Sequence, residues 1–118
     1  MKIAIPMDEN KLDVCVSFGR APYFLFWDSE TESSELKENP AAEAQGGAGL
    51  KAAQVLLDEK TDVLITIRCG ENAANIFKTT GMKIYKAEVS NALENISLYK
   101  ENKLGELTHF HAGFHGAR

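Results

Sequence analysis

Cysteine is scarce in this sequence: Cys15 and Cys69 are the only two, and they stand far apart in the chain. Two such thiols cannot build a disulfide framework, and a reducing compartment keeps both free, as small buried hydrophobes or as ligands. Long hydrophobic runs are also lacking. The opening "MKIAIPMDEN" has a short apolar stretch before its charges begin, too short for a signal-peptide core or a membrane span. The protein is therefore expected in the cytoplasm, without a membrane partner. Positive charge is not in excess either. Seventeen acidic residues against 13 Lys and Arg give a net charge of −4, so the basic face that general nucleic-acid binding requires is not expected. With three prolines, 44% hydrophobic and 25% charged residues, neither disorder nor low complexity is indicated. Nor does the chain carry H-E-x-x-H, G-x-S-x-G, a P-loop or C-x-x-C, the familiar hydrolytic, nucleotide and thiol-redox signatures. The first strand, "KIAIP", has no carboxylate with which a nuclease on such a sheet would hold a divalent metal. The chain is read as a non-enzyme, and its 118 residues as one domain with one core.

What is present is an alternation of strands and helices. "KIAI" at 2–5, ended by Pro6, and the aromatic "YFLFWDSE" at 23–30 read as strands covered on both faces. "ESSELKEN" at 32–39 follows a turn and reads as a hairpin partner nearer the sheet edge. A helix is expected from Gly49 to Lys60, with Leu50, Ala53 and Leu57 on its inner face. "DVLITI" at 62–67 and "MKIYKA" at 82–87 are strands, and between them "GENAANIFKTTG" is a helix closed by Gly81. The last helix begins at a Ser90 or Asn91 cap, with Glu94 completing a capping box and Ala92, Leu93, Ile96 and Tyr99 on one face. Two crossover connections make parallel neighbours. With strand two antiparallel between strands one and three, the preferred order of this mixed α/β sheet is 3-2-1-4-5. The loops after strands one, three and four then emerge at one carboxyl edge, where open α/β sheets hold ligands.

Several residues at that edge can carry chemistry. Cys69 in "RCGEN" stands where a strand hands over to a helix, and the helix dipole and Arg68 both favour its thiolate, a soft-metal ligand. The alternative is a half-buried cysteine packing at a strand end. The glycines of "EAQGGAGLKAA" lead into a helix and offer backbone donors to an anion, or they form a plain β-to-α connection. Arg20 either presents its guanidinium at this edge or caps a carboxylate such as Asp8 or Asp28. Cys15 lies on the face opposite Leu12, Val14 and Val16, pointing into the site or into water. His109, His111 and His115 form an H-x-H-x3-H pattern that suits zinc, nickel or iron, or belong to a glycine-containing flexible tail over 108–118.

Together "MKIAIPMDEN", "SFGRAPYFLFWD", "GGAGLKAAQVLLDEKTDVLI", "RCGENAANIF" and the closing helix resemble the dinitrogenase iron–molybdenum cofactor family, which includes NifX, NafY and the C-terminal domain of NifB. The resemblance covers about residues 1–107. It implies a three-layer α/β/α fold with a mixed five-stranded sheet of the ribonuclease H-like type. It also implies a protein that binds an iron–sulfur or iron–molybdenum type cluster, or its precursor, and carries it between donor and acceptor proteins; a monomer is favoured, with the oligomeric state left open. Carried onto this chain, the cofactor-binding residues are Cys15, Ser17, Gly19, Arg20, Gly46, Gly47, Gly49, Arg68, Cys69 and Gly70. From their own chemistry, not from the family pattern, Cys15 and Cys69 are the candidate metal ligands, with His109, His111 and His115 as further candidates. Ser17 and Gln45 stand where many relatives have histidine, and two cysteines cannot complete the four thiolates of a common iron–sulfur cluster. Two other readings are a protein-interaction or regulatory module without a cluster, and a binder of a small anionic metabolite at the glycine loop.

Overall fold

Period-2 alternation divides the central strands between two cores. In the computed structural model, which describes residues 1–110, Ala4, Phe24, Phe26, Leu64 and Ile84 face one side of the sheet. Ile3, Ile5, Met7, Leu25, Trp27, Val63 and Ile65 face the other. The elements are β1 (Lys2–Met7), β2 (Tyr23–Asp28), β3 (Ser33–Glu38), α1 (Ala48–Asp58), β4 (Val63–Thr66), α2 (Glu71–Thr80), β5 (Lys83–Lys86) and α3 (Ala92–Lys100). The strand order is β3-β2-β1-β4-β5. β2 runs antiparallel to both neighbours, while β4 is parallel to β1 and β5, as expected. Residues from α1 and α2 fill the first core and residues from α3 the second, which makes three layers.

Two helical faces differ from expectation. α1 buries Ala48, Ala52, Ala53 and Leu56, whereas Leu50 is 44% exposed. Alanines let the helix approach a sheet whose Phe24 and Phe26 already fill the interlayer space, so the stripe is turned away from the larger side chains. In α3, Leu93 is 57% exposed and Asn95 is fully buried. Asn95 uses its whole amide: Nδ2 donates to the Val89 and Asn91 carbonyls, both at 2.8 Å, and Oδ1 accepts from the Glu88 and Val89 amides. Asn91 caps α3, its Oδ1 accepting from the Glu94 amide at 3.0 Å.

Pro6 does not end β1, which continues to Met7. Beyond it the chain returns as an antiparallel partner: the Cys15 amide donates to the Pro6 carbonyl at 2.8 Å and the Asp8 amide to the Asp13 carbonyl at 2.9 Å. That pairing uses the proline's acceptor and never requires the donor it lacks. At the opposite edge, residues 105–107 pair with β5 through Lys86 N to Gly105 O and Leu107 N to Ile84 O, both 2.9 Å, and cover its free edge. The packed chain runs on to Phe110, whose ring lies 4.9 Å from the Lys78 ammonium. His111 and His115 lie outside the described residues.

Two substitutions test these assignments. Gly81 closes α2 at φ +82° with nothing near its missing Cβ, so Gly81→Ala should cost about 1–2 kcal/mol of purely conformational origin. Asn95→Leu strands the Glu88 and Val89 amides and should cost about 3 kcal/mol. Urea unfolding with unchanged m-values checks both.

Candidate functional site

β1 and β4 pair only through Ile3↔Val63 and Ala4↔Leu64. Past these residues the strands are joined by a third piece of chain, segment 13–17. Met7 is paired on one side with Tyr23, and Val14 bridges it on the other, while Ser17 bridges Arg68 in the parallel sense. The segment thus occupies the point where the chain's path switches from β2 and β3 to β4 and β5, the place where open α/β sheets form a ligand crevice. Its far side is fastened to the turn before α3, through Val14 N to Ser90 O at 2.8 Å and Ala92 N to Leu12 O at 2.9 Å.

Each residue of "FGR" has a separate task in holding the loop that follows. Phe18 is 3% exposed and packs edge-on to Phe77 at 5.6 Å, with Phe24 tilted at 5.7 Å. Gly19 touches the start of α1: a Cβ there would lie 3.0 Å from both N and Cα of Gly49. Arg20 caps neither Asp8 nor Asp28. Its Nη1 donates to the Ala44 carbonyl at 2.7 Å and the Ala42 carbonyl at 3.3 Å, joining the loop after β3 to the loop after β1. Buried Asn39 reinforces the same joint by donating from Nδ2 to the Gly19 and Ala21 carbonyls and accepting from the Ala41 amide. Sequence reasoning missed Asn39; its signal was the Asn-Pro step, which starts an Asx turn.

Both helices that open at this edge start on glycine. Gly47 caps α1 in the left-handed region at φ 66°, and Gly70 caps α2 in extended conformation, neither with a side-chain cap. The amides of both first turns are therefore not consumed by capping side chains. Gly46 and Gly49 have open space where a Cβ would project.

Of the two sequence readings of Cys69, the structure agrees with the packing cysteine rather than the thiolate. Cys69 is 1% exposed within the α1/α2 core, and its Sγ donates to the adjacent Gly70 carbonyl at 3.6 Å. Burial pushes this thiol up to about 12 from 9.0, which favours the thiol over the thiolate in the resting fold. Cys15 is half-buried. Burial raises its thiol too and the Asp8 carboxylate adds to the rise, against a hydrogen bond from the Ser17 backbone. Among the described residues, no group of three or more His, Cys, Asp and Glu is placed to hold a metal ion. Arg68 joins the site through its backbone bridge to Ser17, and the residue also lines a different cleft that contains His109.

The sequence profile of the family described as dinitrogenase iron-molybdenum cofactor matches residues 1–102. An uncharacterised protein of Methanocaldococcus jannaschii is 33% identical over 107 residues, covering 88% of this chain and 89% of that protein. The apo form of the orange protein of Desulfovibrio gigas shares the fold with a TM-score of 0.82 at 27% identity, covering 90% of this chain and 92% of the other. A Thermotoga protein with a provisional NifB assignment has a TM-score of 0.76 at 36% identity, covering 92% and 95%. With the profile extending over both cysteine-bearing loops and all three helices, the chain belongs to the dinitrogenase iron–molybdenum cofactor family.

Proposed function

We propose that this protein is a non-catalytic cytoplasmic carrier. It takes an iron–sulfur or iron–molybdenum type cluster, or a precursor, from a donor protein, holds it at the carboxyl edge and passes it to an acceptor. The observation that carries this reading is the pair of glycine-capped helix starts, α1 and α2, packed side by side and opening at one edge. Each helix start carries roughly half a positive charge and several free amides, which suits an anionic cargo. The fold and family of the chain agree with such a role.

The state of the thiols supports holding mainly by amides, with Cys15 as the single accessible anchor and Cys69 kept for packing. With one accessible thiol, the cargo's remaining iron ligands would be supplied from outside the described residues, by the donor or acceptor protein or by small external ligands. Ser17 and Gln45 then leave room at the lip of the site where many relatives of the family have imidazoles.

Thiol chemistry tests the division of labour. At pH 8 a thiol reagent should label Cys15 and spare Cys69 until the protein unfolds, because the thiolate is the nucleophile. Cys69 keeps its proton in the fold up to about 12 but loses it near 9.0 when unfolded. Its contribution to stability is therefore full below pH 9 and disappears as pH rises from about 9 to 12. Alkaline unfolding curves of the wild type should fall more steeply over that window than those of Cys69→Ala.

Cargo uptake tests the function. Anaerobic reconstitution with iron and sulfide, followed by metal and sulfide analysis and visible absorption, should give stoichiometric uptake that Cys69→Ala retains and Cys15→Ala weakens about tenfold. Gly19→Ala should weaken uptake by prising the loop from α1, whereas Gly81→Ala, destabilised away from the site, should not. A folded wild type with neither metal nor colour would overturn the carrier reading and favour the interaction module.

A further inference from the structure

A cleft of about 460 Å³ lies between the ends of β4 and β5 and the chain's last described segment, and the glycine loop takes no part in its walls. We propose that it is a second ligand site, for a phosphate monoester with a flat apolar body. Arg68 and Lys86 line it, one following β4 and the other ending β5, and neither enters an ion pair among the described residues. Glu106 is the only acid among the described lining residues, so the cleft keeps a positive excess, to which His109 and Thr108 add hydrogen-bond donors. The rest of its wall is apolar: Ile67, Leu107 and Phe110, all half-buried. Arg68 and Lys86 are exposed, so both cations are free to meet an anion, and the half-buried apolar wall beside them offers a surface to an apolar body. An anion with an apolar body satisfies both.

Charge and size narrow the class. A monoester dianion matches the planar fork of Arg68 together with the point charge of Lys86. The volume is that of a small-molecule site, far larger than a lone inorganic ion needs. Phe110 is the natural stacking surface, held in place by its contact with Lys78. The histidine read from sequence as a metal ligand, His109, becomes a wall of this cleft, and the Arg68 side chain is assigned here instead of to the cluster. No cysteine and no glycine-loop residue is involved, so this site stands or falls independently of the carrier function.

The test uses the full metal-free chain and three probes, phenyl phosphate, inorganic phosphate and phenol, followed by calorimetry and amide chemical shifts. Phenyl phosphate should bind at least about tenfold more tightly than either other probe, shifting the amides of Arg68, Lys86 and His109. Arg68→Gln should weaken it about tenfold, while Lys60→Gln, the same charge loss at a distant helix end, should not. Phe110→Ala should reduce phenyl phosphate to the affinity of inorganic phosphate. Phenyl phosphate binding no tighter than inorganic phosphate, or equal losses in Arg68→Gln and Lys60→Gln, would overturn the assignment.

Discussion

The carboxyl edge of this fold depends on one close approach, the backbone of Gly19 against the backbone of Gly49. No side chain fits between them, since a Cβ at Gly19 would meet the N and Cα of Gly49 at 3.0 Å. Everything around the contact serves to hold it. Phe18 anchors the loop in the aromatic core, Arg20 fastens the carbonyls of Ala42 and Ala44, and Asn39 gathers the carbonyls of Gly19 and Ala21. The contact puts the loop after β1 on the glycine-capped start of α1, so the geometry of the candidate site is fixed by packing of main chain on main chain.

A second anchor works from the opposite layer. Asn95 satisfies all of its hydrogen-bonding capacity on the turn at 88–91, and that turn in turn holds Leu12 and Val14. Segment 13–17 is therefore clamped between α3 below and the ends of β1 and β4 on either side, which fixes where Cys15 and Ser17 emerge. Buried amides are effective here because an unmade hydrogen bond in a dry site costs about 1–3 kcal/mol, enough to favour one loop conformation over its alternatives.

The topology was legible because its signals are local. The short turn between β2 and β3, two crossovers, and the caps at Gly81 and Asn91 suffice to order the sheet. What was not legible depends on distant chain. Pro6 looks like a strand end until segment 13–15 returns to use its carbonyl. Arg20 looks like a carboxylate partner, yet its acceptors are main-chain oxygens from residues 42 and 44, which no pattern of charges announces. Leu50 and Leu93 follow helical spacing, but the alanines beside Leu50 and the fully bonded Asn95 claim the interior.

The case of Cys69 shows which effect wins at the site and why that matters for a carrier. A helix start favours an adjacent anion by about 0.3–1 kcal/mol, less than one unit of pKa. Full burial can oppose ionisation by several units, and at 1% exposure it prevails, leaving the thiol protonated in the core. On the carrier reading proposed above, one accessible thiol and many amides would hold an anion through charge and shape, with few bonds to break on release. That would be a functional property. A single Cys15 anchor leaves one protein–metal bond to exchange on transfer, while the backbone around it is fixed in place by Gly19, Asn39 and Asn95.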